Sequence, residues 1–172
     1  MRARPIDSRG GFGQGNRVAE AVTSSEAGMK FSNRVDVALP ADQLFEQLTD
    51  IPALERAAMK KGVVMHRLDS LPEKGAGMSW DVGFRLRGKP RQMIVDVARY
   101  EAPARIDYCG TSSGFELTLV LEFTALAPRR SRMATLLEIK PRTLGGRLLL
   151  QSARLGRANL DRRYDERIKS FL

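Results

Sequence analysis

The sequence predicts an α+β fold in which a curved antiparallel sheet of about seven strands wraps a long C-terminal helix, with two short helices after the first strand. Three observations carry the prediction. Apolar and polar residues alternate strictly through the middle of the chain. Three successive turns fold those segments so that their apolar residues share one face. The last stretch of the chain loses the alternation and takes up a helical period.

The elements follow in order. Phe31, Val35, Val37 and Leu39 alternate with Ser32, Arg34, Asp36 and Ala38, the pattern of a half-buried strand. Pro40 ends it and suits a helix start. Leu44, Phe45 and Leu48 then fall on one helical face. Asp50 is placed to cap a second short helix, with Pro52 tolerated in its first turn. Lys60, Lys61 and Gly62 suit that helix's end. A second strand is expected over 63–68, and Gly75 and Gly77 punctuate the next turn.

Met78, Trp80, Val82, Phe84 and Leu86 alternate with Ser79, Asp81, Gly83, Arg85 and Arg87. A turn centred on Gly88 and Lys89 pairs Phe84 with Met93, Val82 with Val95 and Trp80 with Val97. A turn around Ala102 and Pro103 sets Val97 opposite Tyr108. A turn through Ser112 and Ser113 sets Tyr108 opposite Leu117 and Ile106 opposite Leu119. One apolar face survives all three hairpins, and a one-residue slip would destroy it. Phe115, Leu117, Leu119, Leu121 and Phe123 form the strongest single strand, with Glu116, Thr118 and Glu122 on its other side. A basic turn over 128–132 leads to a last strand over 133–140, stopped by Pro141. After Gly145 and Gly146 the chain reads as helix to Leu172. Leu144, Leu148 and Leu155 make one stripe; Leu160, Tyr164, Ile168 and Phe171 make a second, rotated one. A bend is expected at Gly156 between them.

Composition narrows the function. The chain has 172 residues, of which 42% are hydrophobic, enough for one substantial core. No apolar run approaches the roughly 20 residues that span a bilayer. Residues 1–28, with Gly10, Gly11, Gly13 and Gly15, read as a disordered tail or an over-called start before Met29, leaving 29–172 as the domain. No secretory signal is evident, and Cys109 is the lone cysteine, so the expected setting is cytoplasmic. Cys109 and His66 alone make no zinc site, and no metal or cofactor is expected. The net charge is +9, and residues 142–172 hold eight basic and three acidic side chains. That asymmetry suits weak contact with an anionic membrane. No nucleic-acid motif accompanies it, so no specific nucleic-acid partner is expected. The oligomeric state is not legible.

Four stretches resemble the helix-grip, START-like superfamily of polyketide cyclase/dehydrase and lipid-transport proteins (SRPBCC type). They are Leu39-Pro40-Ala41 running to Thr49-Asp50, Gly75-Ala76-Gly77-Met78-Ser79-Trp80, Tyr100-Glu101-Ala102-Pro103 before Ile106-Asp107-Tyr108, and the C-terminal amphipathic helix. The resemblance implies a fold and a cavity between sheet and helix, without a catalytic set. It implies that Trp80, Val82, Phe84, Met93, Val95, Val97, Ile106, Tyr108, Leu117, Leu119, Leu121, Leu137, Leu148, Ser152 and Leu155 line that cavity and hold a small hydrophobic ligand.

Few polar groups are expected inside: the Tyr108 hydroxyl, the Trp80 indole, Arg99, and Thr135 and Ser152 at the margin. Tyr108 either orients a ligand or bonds a backbone carbonyl. Asp81, Asp96, Glu116 and Glu122 are expected outside, which leaves no acid–base pair and favours binding over turnover. The leading expectation is therefore a carrier or sensor of an apolar or amphipathic molecule. The alternatives are a cyclase- or hydratase-type enzyme using Tyr108, and a lipid-handling protein at a membrane surface.

Overall fold

The structure is a computed structural model that describes residues 28–170 and residue 172. The expected tail, apart from Gly28, lies outside the described residues, as does Phe171. The order of elements is β1 (Met29–Val37), α1 (Ala41–Leu48), α2 (Ile51–Lys60), β2 (Val64–Arg67), β3 (Ser79–Leu86), β4 (Lys89–Glu101), β5 (Arg105–Thr111), β6 (Phe115–Ala127), β7 (Arg130–Pro141), α3 (Leu144–Arg154) and α4 (Arg157–Lys169). The strands make one antiparallel sheet in the order β1-β7-β6-β5-β4-β3-β2. The meander thus runs in sequence order, and β1 closes onto its far end.

Local chemistry explains the boundaries. Asp50 caps α2 by accepting from the Ala53 amide at 3.1 Å, and Gly62 ends the following turn at φ 74°. The β3–β4 hairpin turns on Arg87 and Gly88, both at positive φ (52° and 77°), the geometry that matches strand twist in a two-residue loop. The turn therefore sits one residue earlier than expected, and Trp80 pairs with Val95 and Val82 with Met93. The β5–β6 turn sits one residue later, closed by Ser112 and Phe115, so Tyr108 pairs with Leu119 and Ile106 with Leu121. Both slips are of two residues in pairing. A period of two leaves every side chain on its expected face.

One slip is not neutral. A bulge between Val97 and Arg99 adds a residue to β4. The side-chain parity reverses beyond it, so Tyr100 turns inward beside Ile106 and Arg99 turns outward. Arg99 lies 3.6 Å from Glu101 and 3.9 Å from Asp107, which corrects the expectation that it faces the cavity. Tyr100 meets Phe45 edge-on at 5.3 Å, and Phe45 meets Phe123 at the same distance. These rings anchor α1 on the sheet.

The core has two parts. The larger holds Leu44, Phe45, Leu48, Ile51, Met78, Trp80, Val97, Ile106, Phe123 and Met133. The smaller holds Met29, Phe31 and Leu150, with Leu137, Ala153, Leu160 and Tyr164 against it. Between them runs a polar strip: the Tyr164 hydroxyl is 2.7 Å from the Thr135 hydroxyl, and Asn33 donates to Asp165 at 2.6 Å. These bonds fix α4 across β1 and β7.

The C-terminal helix is two segments, broken at Leu155 and Gly156 where a bend was expected. Its first segment is rotated relative to expectation. Leu148 and Leu155 are 59% and 93% exposed, and the Ser152 hydroxyl bonds back to the Leu149 carbonyl on the solvent side. Gly146, Leu150 and Ala153 face the sheet instead. Close approach sets this rotation. A Cβ on Gly146 would lie 2.6 Å from the Gly114 carbonyl oxygen, so only glycine lets α3 seat against the β5–β6 turn. Among the described residues, no helix is long and apolar enough to cross a membrane.

Candidate functional site

The expected lining residues of the sheet do share its inner face, and the structure divides them by what they touch. Trp80, Val97 and Ile106 are buried in the larger core, with Val82, Tyr108 and Leu121 packed against it. Leu137 belongs to the smaller core. Phe84, Met93, Val95, Leu117 and Leu119 are half-buried and join neither. The register makes these five continuous: Val95 pairs with Gly110 and Gly110 with Leu117, while Met93 pairs with Val82. They lie on β3, β4 and β6, with Gly110 of β5 between, and reach across about 14 Å at roughly 4.8 Å per strand.

The cause is the placement of the helices. α3 packs chiefly on β7 and α4 on β1, at the end of the sheet where β1 closes. Beside the part of the inner face that α1 and α2 cover, these half-buried side chains form an open apolar strip between β3 and β6, the trough. Gly110 is covered rather than open: the Met93 thioether fills the space a side chain would take, 2.6 Å from an ideal Cβ.

At the core end of the trough lies Tyr108. Its hydroxyl has no hydrogen-bond partner among the described residues, so the alternative of a bond to backbone is not what the structure shows. Burial, with a smaller contribution from Tyr100, pushes its pKa up to about 12. The phenol therefore keeps its proton at neutral pH and can both donate and accept. The other inward groups are spoken for. The Trp80 indole donates to Glu55 at 3.3 Å, and the Arg67 guanidinium lies 5.2 Å from its ring centroid. Thr135 is held by Tyr164.

The acidic residues expected outside do lie there: Asp96 accepts from the Ser79 hydroxyl at 2.6 Å, Glu122 pairs with Arg105 at 2.6 Å, and Glu116 lies 3.6 Å from Arg142. His66 is exposed on β2 opposite Asp81, and Cys109 is half-buried on the outer face. Sequence reasoning missed Glu55, Asn33, Asp165 and the inward turn of Tyr100. Only the bulge could have revealed Tyr100, and nothing in the alternation around Val97 announces it. Two surface grooves lie apart from the trough. One, of about 770 Å3, runs between α2 and the loop after β2 and is lined by Asp50, Glu55, Arg67, Leu71 and Lys74. The other, of about 490 Å3, lies between Pro40 and Pro128.

An open seven-stranded antiparallel sheet with its first strand on one edge, two short helices after that strand and a C-terminal helix on the inner face define a START-like helix-grip fold. Solved structures with the same fold bear this out. The Zhui aromatase/cyclase from Streptomyces sp. R1128 superposes with a TM-score of 0.56 at 17% identity, covering 78% of this chain and 90% of its own. A START superfamily protein from Mycobacterium smegmatis gives 0.52 at 13% identity over 78% and 95%. A point mutant of Thalictrum flavum norcoclaurine synthase, in complex with a transition-state analogue, gives 0.55 at 12% identity over 73% and 82%. No protein-family model and no curated protein sequence matches the chain.

Proposed function

We propose that the protein binds and carries a small apolar or amphipathic molecule in the trough from β3 to β6. The observation that carries this reading is the set of five half-buried side chains, Phe84, Met93, Val95, Leu117 and Leu119, that neither core uses. The unbonded Tyr108 hydroxyl beside them supplies the one polar contact, to a ligand hydroxyl or carbonyl. Covering about 300 Å2 of apolar ligand surface yields roughly 7 kcal/mol at about 25 cal/mol per Å2. Association costs of several kcal/mol come off that, leaving micromolar affinity. Shape and one hydroxyl give loose selectivity. The proposed setting is the cytoplasm, where a lone thiol stays reduced.

Native mass spectrometry and titration with a fluorescent apolar dye test the reading. Leu119→Trp fills the trough, and Leu136→Trp places the same bulk on the outer face. The first variant is expected to bind dye at least tenfold more weakly, and the second to bind as the parent does. Equal binding by both variants sinks the proposal.

A second reading, a cyclase- or hydratase-type enzyme, draws on the free Tyr108 hydroxyl. A phenol that holds its proton can donate to an oxygen gaining charge. Tyr108→Phe then abolishes turnover of a bound polyketide-like substrate while leaving its affinity within a few-fold. An active Tyr108→Phe protein excludes this reading.

A further inference from the structure

We infer that α3 is a docking helix for an anionic lipid surface. It carries apolar residues on two opposite faces, and only one of them is covered. Gly146, Leu150 and Ala153 face the sheet. Leu144, Leu148 and Leu155 are 73%, 59% and 93% exposed. At 100° per residue these three leucines fall within about 40° of one another, on the side away from the sheet. A soluble helix normally keeps that side polar.

The charge on the last two helices selects the occupant. Every acidic residue of the last two helices is already engaged: Asp161 with Arg157 at 2.9 Å, Asp165 with Asn33 at 2.6 Å, and Glu166 with Arg162 at 3.9 Å. Arg147, Arg163, Arg167 and Lys169 are exposed and make no side-chain bond or ion pair among the described residues. Arg147 borders the leucine ridge, one turn on from Leu144 and next to Leu148 in the chain. A second copy of the chain set ridge to ridge brings like charges together. A bilayer rich in anionic headgroups takes the leucines into its interfacial layer and pairs the cations at once. Shallow insertion of one helix face needs no spanning segment. The inference stands apart from the trough, since none of these residues lines it.

Sedimentation of the full chain with vesicles of phosphatidylcholine, alone or with about 30% phosphatidylserine, tests it. The protein is expected to pellet with the anionic vesicles and to stay in solution with the neutral ones. Leu144→Ser/Leu148→Ser/Leu155→Ser, at exposed positions that leave the melting temperature in place, lowers the partition coefficient at least tenfold. Arg147→Gln and Arg163→Gln each lower it about fivefold. Equal partition into both vesicle types overturns the inference. So does unchanged binding by the serine variant, which marks simple charge adhesion. A dimer that the serine variant converts to monomer overturns it too, and assigns the ridge to a second copy.

Discussion

Replacing Tyr108 by Phe changes alkaline stability in a way that can be worked from its surroundings. The hydroxyl has no partner, so at neutral pH the variant loses no internal bond, and its stability stays within about 0.5 kcal/mol of the parent. At high pH the two diverge. Burial holds the folded phenol at about 12, above the ordinary value of 10. The unfolded chain ionises first, so it binds fewer protons than the native state between these values, and stability falls as pH rises. At about pH 11 the parent has lost roughly 1.4 kcal/mol through this group alone, approaching about 2.7 kcal/mol above pH 12. Tyr164, also raised by burial, contributes to both proteins and cancels in the comparison. Urea unfolding of parent and variant near pH 8 and near pH 11 measures the double difference. Parallel losses in the two proteins refute a Tyr108 phenol whose ionisation is opposed by burial and remove the polar anchor from the proposed ligand site.

Gly146→Ala should destabilise by about 1–3 kcal/mol, because its methyl meets the Gly114 carbonyl, whereas Gly145→Ala, with nothing closer than 4.0 Å, should stabilise by up to about 1 kcal/mol; thermal melts of the pair separate the two effects. Asp165→Ala leaves the Asn33 amide without its acceptor and should cost about 1–3 kcal/mol in denaturant unfolding, against little change for the exposed Glu166→Ala. The Arg67 guanidinium, with the Ser79 and Leu71 amides, holds the Asp69 carboxyl well below the usual carboxylate range. Its contribution is present above that range and lost as pH falls below it, so carboxyl NMR shifts should show Asp69 still ionised once the pH has dropped through the ordinary carboxylate range.

The faces of the meander were legible because alternation is a two-state signal: a strand turned by one residue exposes its whole apolar set. Exact pairings were less so, since moving a turn by one residue, as at Arg87-Gly88 and Ser113-Gly114, shifts partners by two and leaves the pattern intact. The bulge at Ala98 was hidden for a related reason. Val97 and Tyr100 are both apolar enough to face inward, so Arg99 between them was read with the wrong neighbours. On α3 the periodic signal pointed the wrong way. Three leucines outscore a glycine, an alanine and one leucine as a core stripe, yet a helix seated tightly on a turn needs the small residues inward. The trough depends on how far α3 and α4 sit toward β1 and β7, which no local pattern encodes.

The division of the core into unequal halves has a consequence for traffic into the protein. The half under α3 rests on three buried side chains, while ten hold α1 and α2 to the sheet. The polar strip of Asn33, Thr135, Tyr164 and Asp165 forms a seam between them. α4 also reaches the greater half through Ile168, so the whole C-terminal arm is tied to both, whereas α3 is held by the lesser half alone and can lift at far less cost than denaturation. On the proposed function, cargo too bulky to slip in past Leu117 and Leu119 would then have a doorway, with α3 as its leaf.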